Sequence, residues 1–414
     1  MKIFHITASY KPAFIYGGPI MSVSKLCEAT GLSSLNSPQS GPDRENEFSV
    51  KVFTTTANGK SELQIKTGKT YLLENVQVTY FNRWTKDHSH FSPGLLWNLS
   101  KAIRQTKHNN LPLIIHIHAW WNLVSILSCL VAKLHKIHII LSPRGMLTAY
   151  TQSNRNLFFK KLIHQVIGKN LLRFVHIHAT SEQEKLEVLK IVQPKSVTVI
   201  PNLVSFAQAN VGEDQLITDK FQSAGAVFNL IFLSRIEEKK GLEILFDALS
   251  TLRIDFRLTI AGAGNAHYLK TLKAKAQELK LSGRLDWIGH VSDQNKFELI
   301  ARHDLLVLSS YNENFANVVV ESLSIGTPVL ISEHVGMTAY VKDKEFGWIC
   351  KLTPDDIKAQ IDSAFQDQPK RNRIRNLAPE IIKRDFNDEV LARRYVELYQ
   401  KILTNKTNAN IKIG

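Results

Sequence analysis

The chain has 414 residues, 44% of them hydrophobic and 21% charged. That excludes a collagen-like, disordered or disulfide-framework protein, and the length suits two domains of roughly 200 residues rather than one core. The formal charge of +15 is lopsided: residues 1–200 hold 24 Lys+Arg against 10 Asp+Glu, and the remainder 28 against 27.

The first residues, MKIFHITASYKP, alternate as a strand does and lack the apolar core and cleavage site of a signal peptide. Further strands are expected at Val50–Thr55, Val76–Phe81, Leu113–His118, His138–Leu141, Val175–Ala179 and Val197–Pro201. A polar insertion, Ser33–Glu47, reads as an exposed loop. No carboxylate lies between Asp87 and Glu182. So long a basic run points to an anionic partner: nucleic acid, phospholipid headgroups or a phosphate-bearing substrate. Within it, Leu123–Ala132 is apolar but too short to span a bilayer. Arg144–Phe174 sets Arg155, Lys160, Lys161, Lys169 and Arg173 among apolar residues, the pattern of a helix lying on an anionic membrane surface.

A linker is expected at 206–226, after which the strand rhythm resumes at Asn229–Ser234, Arg257–Ala261, Arg284–Ile288, Leu305–Ser309, Val329–Ser332 and Trp348–Lys351. Such Val, Ile and Leu runs suit parallel strands covered by helices on both faces. In Asp388–Leu403, apolar Val390, Leu391, Tyr395, Leu398 and Ile402 recur at helical spacing. The fold class expected is α/β, with two doubly wound domains, 1–205 and 227–385, and a C-terminal helix in 386–414 crossing back to the first. Ligands of such domains sit at the carboxyl ends of strands, here expected to face each other across a cleft.

Two motifs follow strands in the second half. Glu313-Asn-Phe-Ala-Asn-Val-Val-Val-Glu321 starts in a loop and runs into a helix. Eight helical residues would advance about 12 Å and put both carboxylates on one flank, with backbone N–H groups near Phe315, Ala316 and Asn317 aimed at an anion. Arg235-Ile-Glu-Glu-Lys-Lys240-Gly241 offers two cations that can neutralise a diphosphate. Other signals are weaker. Gly262-x-Gly264 reads as a tight turn and Ser181-x-x-Glu184 as a capping box. HIHA at His116 and His176 reads as coincidence, and His116 with His118 lacks further ligands at metal-site spacing.

Together with YKPAFIYGGP, HIHAWW, SPRGM, HATSEQE and VIPN in the first half, and SRIEEKKGLEILFDAL, LTIAGAG and RLDWIGHV in the second, these motifs resemble the GT-B fold glycosyltransferases of family 4. The resemblance implies a nucleotide-sugar-binding domain at 227–385 and an acceptor-side domain at 1–205. Glu313 would hold hydroxyls of the transferred hexose and Glu321 the nucleotide ribose. Arg235 and Lys240 would grip the diphosphate, His118 would lie against the donor sugar, and Gly17 and Gly18 would let the first loop approach the diphosphate or acceptor. It further implies a nucleotide-sugar donor, UDP first with GDP and ADP open, a lipid-linked or saccharide acceptor, retention of configuration and peripheral contact with the membrane. No added cofactor or metal is expected, and the scattered Cys27, Cys129 and Cys350 point to a reducing, cytoplasmic compartment. Leu203 and Ser205 depart from the family's usual Gly and Asp beyond VIPN. A GT-B nucleotide-sugar epimerase and a nucleic-acid-binding protein are the alternatives, the second leaving Glu313, Glu321, Arg235 and Lys240 without a use.

Overall fold

The computed structural model describes residues 1–33, 49–148, 168–207 and 227–410. The Ser33–Glu47 insertion beyond Ser33 itself, most of the 206–226 linker and the middle of the basic Arg144–Phe174 segment therefore lie outside the described residues. The chain divides into two units: unit 1 is Met1–Leu203 with Asp388–Gly414, and unit 2 is Val204–Asn387.

In unit 1 the strands are β1 (Lys2–Ile6), β2 (Ser49–Thr55), β3 (Ala57–Asn58), β4 (Ser61–Glu62), β5 (Thr70–Leu73), β6 (Val76–Phe81), β7 (Leu113–His118), β8 (His138–Ser142), β9 (His176–Ala179) and β10 (Ser196–Val199). The helices are α1 (Gly18–Ser33), α2 (Pro93–His108), α3 (Leu123–Leu134), α4 (Lys169–Leu172), α5 (Glu182–Ile191) and, from the chain's last segment, α13 (Asp388–Asn410). The main sheet runs β10-β9-β8-β7-β1-β2-β6-β5. Every pairing in it is parallel except β5 against β6. The chain starts at the centre, builds outward through β2 and β6, then returns to β1's other side with β7. The gap between β1 and β7 is thus the topological switch point. Strand β7, LIIHIH, is buried along its whole length, as a central strand covered on both faces must be.

Unit 2 has β11 (Phe228–Leu233), β12 (Phe256–Ala261), β13 (Leu285–Gly289), β14 (Leu305–Leu308), β15 (Val329–Ser332) and β16 (Gly347–Cys350). They interleave with α6 (Leu242–Ser250), α7 (Ala266–Glu278), α8 (Asp293–Ala301), α9 (Asn317–Leu323), α10 (Thr338–Asp343), α11 (Pro354–Gln366) and α12 (Gln368–Asp385). The order β13-β12-β11-β14-β15-β16, parallel throughout, is that of a dinucleotide-binding doubly wound sheet, with its switch point between β11 and β14.

Several local expectations need correction. Strands β3, β4 and β5 carry no long apolar run, so periodicity passed over them. Edge strands β10 and β13 are only partly buried, because an edge lacks one neighbour. In α13, Val390 is 48% exposed, whereas Tyr399, omitted from the apolar stripe, is fully enclosed. The Ser181 hydroxyl does cap α5, accepting from Glu184 N–H at 3.1 Å. The Glu184 carboxylate does not complete the box; it accepts from the Thr180 and Gly145 N–H groups, each at 2.7 Å. No described helix is long and apolar enough to cross a membrane.

Candidate functional site

In unit 2 the loops leaving β11 and β14 flank the switch point and are stitched together. Tyr311 N–H donates to the Lys239 carbonyl at 2.9 Å, and the Ser309 hydroxyl donates to the Gly241 carbonyl at 2.8 Å. Gly241 sits at φ +70°, where an added Cβ would meet Ser309 O at 2.0 Å, so only glycine lets these loops approach. Gly262 likewise lies against the Ser234 carbonyl, its imagined Cβ 1.8 Å away. The turn after β12 is therefore a close-packing device that seats the loop carrying Arg235.

This framework brings Lys240 and Glu313 together: the Lys240 ammonium donates to Glu313 Oε2, with side-chain exposures of 8% and 18%. Burial alone would raise the Glu313 pKa, but Lys240, Lys239 and Arg235 outweigh it and hold the carboxyl below its usual range. Lys239 is pulled down by its own burial, partly countered by Glu313. Arg235 is more exposed and pairs with Glu237 at 2.5 Å. Arg235, Lys239 and Lys240 thus gather around Glu313 at the carboxyl end of β11, with Glu237 countering Arg235 at the exposed side. An anion-bearing ligand can use those cations.

The second carboxylate is placed otherwise than the helical spacing suggests. Glu313 is not on the helix: its N–H donates to His334 O at 3.1 Å and its carbonyl accepts from Gly336 N–H at 2.7 Å. Helix α9 begins only at Asn317 and is seven residues long. Glu321, inside it, pairs with Lys296 of α8 at 2.8 Å, and Lys296 also reaches Asp293 at 2.9 Å. The eight-residue helical measure therefore does not apply, because four of those residues form a loop. Between the carboxylates, buried Phe315 packs on Phe386 at 6.0 Å between ring centroids. Ala316 takes φ +71° as it starts the helix, a conformation non-glycine residues seldom hold. Lys239 and Lys296 are the residues sequence reading missed here. Lys239 was overshadowed by its neighbour, and Lys296 pairs with Glu321 only through packing of α8 on α9.

Unit 1 holds the other expected residues. Gly17 has φ +67° and closes a turn over Phe14–Tyr16, with its N–H on Phe14 O at 2.8 Å; Gly18 opens α1. His118 ends β7 and is only 1% exposed. Its Nε2 lies 2.9 Å from His5 Nδ1 and its Nδ1 3.5 Å from the Arg144 guanidinium. A second chain starts at His116: Nδ1 to the Tyr399 hydroxyl at 2.9 Å, and Nε2 to Ser142 Oγ at 2.7 Å. Ser142 continues to His178 Nδ1 at 2.7 Å, and His178 Nε2 to the Ile200 carbonyl at 2.8 Å. The carbonyl fixes His178 Nε2–H as a donor, so Ser142 donates to Nδ1 and accepts from His116 Nε2–H. The two HIHA segments are therefore joined in space through Ser142. Burial, with Arg144 nearby, lowers the His5 and His178 pKa values to about 3 and drives those of His116 and His118 well below normal. All four rings are neutral at neutral pH.

Ligand atoms of His5, His116 and His118 lie within 4.8 Å of one another, a spacing a metal could use. Yet five of the six ring nitrogens already face hydrogen-bond partners, only His5 Nε2 lacking one, and Arg144 stands beside them. The chemistry favours a hydrogen-bonded network over a cation site.

Two family models match the chain: Glycosyltransferase Family 4 over residues 44–208 and Glycosyl transferases group 1 over residues 215–380. A lipopolysaccharide core biosynthesis glycosyltransferase of Rhizobium meliloti is 26% identical over 205 residues, 49% of this chain and 58% of the relative. An N-acetylgalactosaminyltransferase of Campylobacter jejuni, named for a diacetylbacillosaminyl-diphospho-undecaprenol substrate, is 26% identical over 194 residues, 45% of this chain and 49% of the relative. The alignments thus take in only about half the length of these relatives. Among solved structures, Anabaena HepE in complex with UDP and glucose superposes with a TM-score of 0.70 at 18% identity, covering 97% of this chain and 100% of HepE. At that identity the likeness speaks for the fold, two Rossmann-like domains of GT-B type. With one family model on each unit and the switch-point sites in place, the chain belongs to the GT-B fold glycosyltransferases of family 4.

Proposed function

We propose that the chain transfers a hexose from a nucleoside-diphosphate sugar, a UDP-sugar first among candidates, to a hydroxyl of a lipid-linked or saccharide acceptor in cell-surface polysaccharide or lipopolysaccharide synthesis. The observation that carries this reading is the enclosed Lys240–Glu313 pair at the unit 2 switch point, with Arg235 and Lys239 beside it. In the absence of ligand the two side chains satisfy each other. A sugar diphosphate offers each a better partner: phosphate oxygens for Lys240 and Arg235, and hexose hydroxyls for Glu313. Glu321, held by Lys296, takes the ribose hydroxyls. Backbone N–H groups of Phe315, Ala316 and Asn317, which precede the first helical acceptors of α9, add donors toward the phosphates.

Charge develops on the diphosphate as the anomeric bond breaks, and Lys240 and Arg235 stabilise it where it grows. The departing phosphate oxygen takes the acceptor proton, so attack comes on the same face and configuration is retained. His118 orients rather than abstracts, since burial leaves it neutral and weakly basic. Gly17 and Gly18 keep the first loop of unit 1 low enough for a ligand's phosphates. The bound species needs no further cofactor or metal, the protein acts in the cytoplasm with peripheral contact to an anionic membrane, and nucleic acid is not a partner. The similarity to relatives named for lipid-linked or lipopolysaccharide substrates, and to a structure holding UDP and glucose, supports this reading. Calorimetric titration with UDP, GDP and ADP tests it: UDP binding should be saturable, survive excess duplex DNA, and vanish in Lys240→Ala. Binding of none of the three nucleotides refutes it. An inverted anomer in the isolated product would refute the retaining step.

A further inference from the structure

Arg144 is the one charged member of the unit 1 network; the Glu184 carboxylate acts on it from nearby, but among the described residues no carboxylate is in direct contact with it. One terminal nitrogen donates to Ser22 Oγ at 2.8 Å and Asn202 Oδ1 at 3.2 Å. The other has only the 3.5 Å approach to His118 Nδ1, and the enclosed Nε–H has no acceptor. All three acceptors are neutral. The neighbouring carboxylate, Glu184, is spent on the N–H groups of Gly145 and Thr180 and on the Thr180 hydroxyl. Among the described residues no carboxylate pairs with the guanidinium. A buried cation held by neutral acceptors alone is costly, and folds ordinarily pair it.

The backbone around Arg144 is specialised to keep it there. Arg144 has φ +51° and Gly145 φ +76°, two successive left-handed residues of which the first bears a large side chain. The Glu184 carboxylate clamps this turn by its Gly145 N–H. The turn follows β8, and the guanidinium reaches His118 at the carboxyl end of β7, beside the unit 1 switch point, where open α/β sheets take their ligands. Arg144 as a residue is partly exposed, although its Nε is enclosed.

We propose that Arg144, held in place by its acceptors Ser22, Asn202 and His118, forms an anion subsite in unit 1 whose guanidinium receives a phosphate group. The phosphate arrives either on the nucleotide donor or on a phosphorylated acceptor, and supplies the direct ion pair that Arg144 lacks among the described residues. The subsite stands on unit 1 alone and does not depend on the unit 2 reading.

The test uses the full chain carrying Lys240→Ala, which disables the unit 2 phosphate grip, at ionic strength matched with KCl. Pyrophosphate should raise its melting temperature. Adding Arg144→Gln should abolish that rise and weaken pyrophosphate binding at least about tenfold, the loss expected for one charge-assisted hydrogen bond; Arg144→Lys should keep part of it. Without pyrophosphate, in the same KCl, the Gln variant should melt no lower than its parent, because it removes a charge with no direct partner. With Lys240 intact, a matching loss of UDP affinity in Arg144→Gln identifies the donor diphosphate as the source, whereas unchanged UDP affinity identifies the acceptor. An absent pyrophosphate response in the parent, or one untouched by Arg144→Gln, overturns the proposal. So does a Gln variant that melts well below its parent without pyrophosphate, since the guanidinium would then be a strut that its neutral partners suffice to hold.

Discussion

At the residue scale, the Lys240–Glu313 pair is where stability and activity part. Glu313→Gln leaves an enclosed ammonium without a counter-charge and should destabilise by about 3–5 kcal/mol, while a Lys240→Met/Glu313→Met double variant should recover most of that. Both should be inactive, with kcat for Lys240→Met alone lowered about 100–1,000-fold. Chemical denaturation and donor turnover read the two effects separately. Because the Glu313 pKa is depressed in the folded chain, its share of stability is present above the ordinary carboxylate pKa of 4.5 and is lost as pH falls through the folded value. The stability gap between the native chain and Glu313→Gln should therefore close below about pH 4.5. Lys296→Met should free Glu321 and raise KM for the donor more than it lowers kcat. An equal loss in both would place Lys296 outside ribose binding.

At the scale of elements, the strand rhythm of Val, Ile and Leu runs was legible. Expected strands such as Val76–Phe81 and Leu113–His118 coincide with β6 and β7, since buried parallel strands have little freedom in composition. The loops were less legible. Arg235, Lys240 and Glu313 could be named because they follow strands, but partners such as Lys296 and Arg144 depend on packing between elements distant in sequence. The eight-residue spacing of Glu313 and Glu321 pointed to a helix that starts too late to hold both. The glycines show how little room those loops have. Gly241→Ala puts a methyl group 2.0 Å from the Ser309 carbonyl and should lower the melting temperature and donor affinity together. Gly283→Ala, whose Cβ meets nothing within 4 Å, should do neither.

At the scale of the whole molecule, the neutral histidines of unit 1 predict an acid limit. His5, His116, His118 and His178 take protons near pH 6.5 when unfolded, but only near pH 3 or well below normal when folded. Stability is highest above 6.5 and falls as pH drops below it, because the unfolded chain binds more protons. With several such groups acting in the same direction, the melting temperature should fall steeply as pH drops below 6.5. His90 and His176, lowered to about 4, add to the same trend, so unfolding between pH 6.5 and 5 should take up several protons, and fewer in His178→Gln.

The helix that closes unit 1 is made only after unit 2. Tyr395 and Tyr399 of α13 contact His178 and His116, yet all of Val204–Asn387 is translated between β10 and that helix. On the ribosome, then, the amino-terminal sheet waits with its histidine row unsealed while the other unit emerges and folds. A nascent chain stalled before Asp388 should expose that row to protease or chaperone, and emergence of α13 should hide it.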